Sequence, residues 1–340
     1  MNSLSVLLEK VTNRQDLSFD EAKFWQTEMM EGRCTPSQIA GFICALRTKG
    51  ESVEEIAGLA SAMRQKAVCL VHQHPILLDT CGTGGDAKGT FNISTLAALV
   101  VSGAGVPVAK HGNIAVSSQC GSADLLKNLG VKIDCDMGLM QKALSEAGIC
   151  FLFAPLYHAA MKHAALPRKE LGIRTVFNLL GPLSNPAGAN IHVMGVYHKD
   201  LTRLMAEVLK RLGVTRAVVV HGQDGLDEAT TTGHTWISEY SDDQVKDYVL
   251  DPASFGIKPA SLNDILGGNL EKNTSIALQI LEGQDGSFQD IVVLNAALAL
   301  YAAGLSDRIK EAVEMARDTI KSGKARQKLE ALIKITNSTS

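Results

Sequence analysis

The residues that could do chemistry start with two neighbouring carboxylates. Asp227 and Glu228 lie in "QDGLDEATTTG", beside a glycine and just after the apolar run "RAVVVHG". Adjacent acidic groups of this kind suit Mg²⁺ ions that are themselves bound to phosphates, because a hard cation takes oxygen ligands and keeps part of its shell for the anion. An acidic pair in a loop is more often merely solvated; its place at a strand exit favours the metal reading. A second stretch, "DTCGTGGDAKGTFNIST" (79–95), supplies a partner for such ions. Successive amides of Gly82, Thr83, Gly84 and Gly85 form a backbone nest for phosphate oxygens. Asn92, Ser94 and Thr95 offer hydroxyl, amide and helix-terminus donors to a second phosphate, and one of them also reads as a plain N-cap. Lys110 adds a point charge.

Other readings of the same residues fail on context. The glycine loop is no Walker A motif, because Gly-Lys-Ser/Thr is missing at the required spacing. Gly82, Gly84 and Ala87 fit the dinucleotide pattern G-x-G-x-x-A, yet Lys110 stands where an acidic residue for the ribose belongs, and the helix is delayed past "KGTFN". Cys81 inside the loop reads as a small residue beside a tight turn rather than a nucleophile. His111, His158 and His163 lack a third ligand at a useful spacing, which argues against a transition metal.

The elements that must position these groups follow from periodicity. Residues 1 to about 70 read as helices. In "TPSQIAGFICALRTKG", Thr35 caps, Pro36 takes the first helical position and Gly50 terminates; Ile39, Phe42, Ile43 and Leu46 form the apolar stripe. Ser52 and Glu55 make a capping box for the next helix, with Ile56, Leu59 and Met63 as its stripe. From residue 76, strand-like runs alternate with helical ones: "ILLD", "VPVA", "ICFLFA", "IHVMGVYH" and "RAVVVHG" separated by "STLAALVVSGAG", "SADLLKNLG" and "DLTRLMAEVLKRLG". That alternation predicts an α/β fold with a mainly parallel sheet. Four strand exits deliver polar, glycine-bearing residues, as expected for one shared site at the carboxyl edge of a sheet. Residues 155–190 interrupt the alternation and read as a hinge or as part of the helical domain. From about 262 the chain returns to helices. The expected division is therefore 1–70, with part of 160–190, as a small helical domain and 71–340 as the α/β domain.

Composition narrows the setting. The chain has 340 residues, 46% of them hydrophobic, with a net charge of -3 and a pI near 6.3. A mildly acidic chain without a basic stripe argues against a nucleic-acid partner. No apolar stretch reaches the ~20 residues of a membrane span, and the start "MNSLSVLLEK" lacks the features of a signal peptide. Seven cysteines without a C-x-x-C pair favour reduced thiols in a cytoplasm.

Taken together, "GTGGD" (82–86), "NIST" (92–95), "KHGN" (110–113), "GSADLL" (121–126), "RKELGIRTVFNLLGPLSNP" (168–186) and "GLDE" (225–228) resemble the anthranilate phosphoribosyltransferase family over nearly the whole chain. The resemblance implies a small all-helical domain joined by a hinge to a larger α/β domain, the nucleoside phosphorylase/phosphoribosyltransferase type of fold. It implies a homodimer through the helical part and leaves open an association with anthranilate synthase. It further implies that Gly82, Thr83, Gly84, Gly85, Asp86, Thr90, Asn92, Ser94, Thr95, Lys110 and Ser122 hold 5-phosphoribosyl 1-pyrophosphate (PRPP). Ser94, Asp227 and Glu228 would serve two Mg²⁺ ions, and Gly82, His111, Asn113 and Arg168 would face anthranilate. Lys110, Asp227 and Glu228 would carry the catalysis.

Two places depart from the family's commonest pattern: Gln119-Cys120, where Lys-Ser is frequent, and "HAAMKH" (158–163), where "HPAMKH" is frequent. Both flank the expected site and bear on affinity, not on the reaction. A pyrimidine nucleoside phosphorylase-like enzyme would share the glycine loop but need no acidic metal pair. A catalytically silent relative that binds nucleic acid would have lost "GTGGD" or "GLDE" and gained basic charge.

Overall fold

A computed structural model describes residues 3–114 and 120–338. The chain opens with four helices, α1 (Leu4–Thr12), α2 (Phe19–Met30), α3 (Pro36–Lys49) and α4 (Val53–Lys66). Their ends lie where the capping chemistry puts them. Thr35 caps α3, reciprocated by Gln38, and Gly50 ends it with φ 92°; Ser52 and Glu55 form the capping box of α4. The stripes Ile39, Phe42, Ile43, Leu46 and Ile56, Leu59, Met63 are buried, each side chain stabilising by about 1.5–3 kcal/mol through area removed from water. Trp25 stacks on Phe42 with ring centroids 3.9 Å apart.

Among the described residues, seven strands form one sheet: β1 (Leu78–Gly82), β2 (Val108–Gly112), β3 (Ile149–Phe153), β4 (Ile191–Gly195), β5 (Arg216–Gly222), β6 (Thr235–Ser241) and β7 (Gln244–Leu250). Their order is β3-β2-β1-β4-β5-β6-β7. The first five are mutually parallel; β6 and β7 add antiparallel. The strands β1 to β5 read as continuous apolar runs because both faces are covered. Helix α5 (Ile93–Gly103) lies on one face with the helices Ser287–Ala302 and Lys324–Thr336. The helix Leu201–Arg211 covers the other face and packs against α4, so Met194, Met205 and Leu209 share one core with Leu46, Leu59 and Met63. The helix Lys162–Leu171, in the segment that interrupts the alternation, packs against α2 and α3.

Two features differ from the sequence expectation. Strand β1 starts two residues later than "ILLD" and continues into the glycine loop, because Thr80, Cys81 and Gly82 pair with Val193, Met194 and Gly195 of β4. The hairpin β6–β7 was not anticipated. Its turn residues Asp242 and Asp243 have φ of 49° and 60°, the left-handed pair that a two-residue hairpin turn requires.

Candidate functional site

The strand order reverses at β1: β2 and β3 lie on one side of it, β4 and β5 on the other. In open α/β sheets a crevice forms at such a reversal, beyond the carboxyl ends of the strands. The exits of β1, β4 and β5 meet there. Gly84 N–H donates to Asp227 Oδ2 at 2.7 Å, and Ser94 N–H, in the first turn of α5, donates to Glu228 Oε1 at 3.2 Å. The glycine loop, the NIST turn and the acidic pair, far apart in sequence, are thus one cluster. Close approach demands glycine: a Cβ on Gly82 would lie 2.6 Å from Asp227 Oδ2, and one on Gly195 would overlap the Asp227 carbonyl. Gly84 and Gly85 take φ of 65° and 78°, conformations that L side chains rarely adopt.

The acidic side is only partly compensated, by Lys110 and the Gly84 amide. Burial, then the neighbouring Asp86 carboxylate, pushes the Asp227 carboxyl up to about 7. Glu228 is pushed well above the usual carboxylate range by burial and then by Asp227, against the pull of Lys110. Carboxylates held together in this way are hard oxygen donors short of a cation. With the Ser94 hydroxyl nearby, the donor set suits Mg²⁺.

Lys110 lies beneath the crevice rather than in it. It is 3% exposed, and its Nζ donates to the Thr80 carbonyl at 2.6 Å and to Ser94 Oγ at 3.3 Å. It therefore aims the Ser94 hydroxyl and supplies positive charge behind Glu228. Burial lowers its pKa, opposed chiefly by Asp79.

One local expectation needs correction. The Thr83 amide cannot serve the nest, because it donates to the Gly195 carbonyl at 2.9 Å and extends the β1–β4 pairing. Asn92 occupies the N-cap position of α5 without a side-chain cap bond; its amide instead donates to the Cys120 carbonyl at 3.0 Å. The Thr95 hydroxyl is buried and has no hydrogen-bond partner among the described residues.

Of the residues proposed for the acceptor, His111 and Asn113 lie at the exit of β2, Gly82 ends β1, and Arg168 lies on the helix Lys162–Leu171. His111 is 8% exposed and its backbone N–H donates to Asp79 Oδ1 at 3.2 Å. Its Nδ1 lies 3.2 Å from the Gly181 carbonyl; a carbonyl only accepts, so Nδ1 carries the proton. Burial, then His158, depresses the ring's pKa to about 3. The neutral ring therefore presents Nε2 as a lone-pair acceptor, and that atom has no protein partner among the described residues. His158, just beyond the exit of β3, has its ring centroid 5.1 Å from that of His111. His163 belongs elsewhere, against Gly32 of the helical domain. Asn113 is exposed, and its carbonyl accepts from Ser122 Oγ at 3.3 Å, which ties the KHGN turn to the helix Ser122–Asn128. Arg168 is an exposed residue whose guanidinium lies 5.2 Å from the Phe177 ring centroid. Thr90 pairs with Leu266 in an isolated bridge that closes the far end of the glycine loop. Gln119 lies outside the described residues, and Ala159 is exposed. Cys81 is buried and its thiol is pushed well up by burial, so it stays protonated and unreactive.

A glycosyl transferase family helical bundle domain matches residues 5–67, and a glycosyl transferase family a/b domain matches residues 74–326. The anthranilate phosphoribosyltransferase of Pelotomaculum thermopropionicum is 52% identical, covering 98% of this chain and 96% of its own length. The crystal structure of the Thermus thermophilus enzyme superposes with a TM-score of 0.93 at 44% identity, over 97% of this chain and 99% of its own. The Saccharomyces cerevisiae enzyme in complex with PRPP and Mg superposes with a TM-score of 0.89 at 28% identity, over 99% of this chain and 98% of its own. The chain belongs to the anthranilate phosphoribosyltransferase family.

Proposed function

We propose that this chain transfers the phosphoribosyl group of PRPP to the amine of anthranilate, giving N-(5-phosphoribosyl)anthranilate and pyrophosphate, a step of tryptophan biosynthesis. The observation that carries this reading is the joining of the glycine loop to Asp227 and of the NIST turn to Glu228 at one crevice. The anthranilate nitrogen forms a bond to C1′ of the ribose as the bond to pyrophosphate breaks, and the amine sheds a proton. An aryl amine is neutral at pH 7, so no strong base is needed before attack. The main task is to hold a highly charged leaving group in line, through positioning and electrostatics.

In this reading Ser94, Asp227 and Glu228 hold two Mg²⁺ ions on the diphosphate. Bound Mg²⁺ neutralises charge on the leaving pyrophosphate. The Gly84 and Gly85 amides would line the diphosphate side of the loop, and Lys110 keeps Ser94 aimed at the position a cation would take. Gly82, Asp86, Thr90 and Ser122 complete the donor pocket. His111 Nε2 accepts a hydrogen bond from the acceptor amine, whose proton passes to solvent, and Asn113 and Arg168 bind its carboxylate. The helical domain comprises residues 1–70 with the helix Lys162–Leu171 docked on it, and residues 71–340 otherwise form the α/β domain. The helical domain also carries a homodimer contact, supported by exposed apolar residues such as Val6 on α1. Association with anthranilate synthase and a cytoplasmic location accompany the pathway role; no helix among the described residues is long and apolar enough to cross a membrane.

Anthranilate is fluorescent, so its loss on adding PRPP and Mg²⁺ tests the reading. Consumption that requires both additions supports it; none under any Mg²⁺ concentration refutes it.

A further inference from the structure

The glycine loop needs external anchors. Gly84, Gly85 and Ala87 all have positive φ, of 65°, 78° and 57°, a succession that the loop's own sequence favours only weakly. Two anchors belong to the crevice. Thr83 is held by Gly195 at the exit of β4, and the Gly84 amide is held by Asp227. The third comes from outside. Arg174, an exposed residue, donates from Nη2 to the Gly85 carbonyl. Its guanidinium lies 4.7 Å from the ring centroid of Tyr197, and the Tyr197 N–H donates to Thr83 Oγ1 at 3.1 Å. One side chain therefore clamps the loop at Gly85 and, through Tyr197, backs it at Thr83. Even the room is fitted: a Cβ on Gly85 would come 3.1 Å from Arg174 Nε.

The consequence follows from peptide geometry. The structure contains no cis peptide bond among the described residues, and in a planar trans peptide the carbonyl and the following N–H point in opposite directions. Holding the Gly85 carbonyl on Arg174 fixes the Asp86 N–H to the other side of the loop. The Gly84 anchor draws on a carboxylate that would also hold a cation, whereas the Arg174 contact does not. Arg174 also lies six positions after Arg168 in the same segment, the one that packs onto the helical domain, so the acceptor side and the donor loop are tied by a single short stretch of chain.

We propose that Arg174 is a positioning residue for the donor: by gripping the Gly85 carbonyl and stacking on Tyr197 it sets the orientation of the Gly85–Asp86 peptide that faces the PRPP diphosphate. This rests on the glycine loop being the diphosphate cradle of a phosphoribosyl transfer. The test compares wild type, Arg174→Ala and Arg174→Lys by steady-state anthranilate fluorescence with each substrate varied, by calorimetric titration of PRPP with Mg²⁺, and by thermal unfolding. Arg174→Ala should raise the PRPP KM and Kd roughly tenfold, the effect of one lost charged hydrogen bond. The anthranilate KM should change less than about twofold and Tm should stay within ~1 °C, as for a surface substitution. Arg174→Lys, which keeps a donor but not the planar stack, should recover part of the loss. An unchanged PRPP KM, or equal rises in both KM values with a lowered Tm, would overturn the proposal while leaving an active wild type. A wild type that consumes no anthranilate would instead remove the phosphoribosyl-transfer reading, and this proposal with it.

Discussion

The double substitution Asp227→Asn with Glu228→Gln should stabilise the metal-free protein while removing its activity. Both replacements keep the acceptor oxygens used by the Gly84 and Ser94 amides, so geometry is preserved and only charge is lost. Asp227 is raised from 3.8 to about 7, roughly 3 units at about 1.4 kcal/mol each, or an upper figure of about 4 kcal/mol. Partial solvent access to the crevice reduces this to the order of 1–2 kcal/mol, and Glu228 adds in the same direction. The sign follows from linkage. A carboxyl whose folded pKa is raised binds protons more tightly folded than unfolded, so its share of stability is present below about pH 4 and is lost as the pH rises through about 7. The variant lacks that loss. Buried neutral histidines act oppositely in the same window, so the informative quantity is the difference between variant and wild type, not either curve alone. Calorimetric unfolding in a chelator at pH 4.5 and pH 8 should show a Tm advantage of the variant that grows with pH to ~2–5 °C. Its turnover with PRPP and Mg²⁺ should fall roughly 10²-fold or more. A variant that melts at or below wild type at pH 8, or whose advantage does not grow with pH, would refute the claim that the pair is an only partly compensated cation site.

Further outcomes follow from other parts of the site. Gly84→Val forces a branched side chain onto φ 65° and should raise the PRPP KM far more than the anthranilate KM; equal losses measured by steady-state kinetics would indicate general misfolding. Arg168→Ala should weaken anthranilate by on the order of 2 kcal/mol, about thirtyfold in KM, for a lost charge-assisted pair, with Arg168→Lys recovering only part because it lacks the fork. An unchanged anthranilate KM would shift attention to Asn113 and His111. The depressed pKa of His111, about 3, means that its share of stability is present above its ordinary value of 6.5 and is lost as the pH falls toward 3. Nitrogen NMR should find its imidazole neutral and protonated on Nδ1 at pH 5; a charged ring there would contradict the acceptor role given to Nε2.

Much of this was legible in the sequence because it depends on short-range signals. The caps Thr35 and Ser52, the apolar strands and the polar residues at their exits each declare themselves within a few positions. The acidic pair Asp227–Glu228 and the glycine loop were visible for the same reason. What escaped depends on pairing through space. The Thr83 amide looks available until β4 is laid beside β1 and takes it. Lys110 reads as a cleft lysine until α5 covers its stem and turns Ser94 onto its ammonium. Arg174 sits in the segment that breaks the α/β alternation, so periodicity gave it no place, and only the fold brings it to Gly85. The β6–β7 hairpin did carry a local signal. "WISEY" and "VKDYV" flank Asp242-Asp243, a strand–turn–strand pattern that is antiparallel and so lies outside the β–α alternation.

The central claim is that the donor diphosphate lies at the meeting point of β1, β4 and β5, with its cations on Ser94, Asp227 and Glu228. Crystals grown with PRPP and Mn²⁺ in place of Mg²⁺ test it most directly, because manganese scatters anomalously. The account predicts anomalous peaks within about 2.5 Å of oxygens from those three residues, with the diphosphate against Gly84 and Gly85. Peaks elsewhere, or a diphosphate bound away from the glycine loop with Asp227 and Glu228 free of metal, would contradict it.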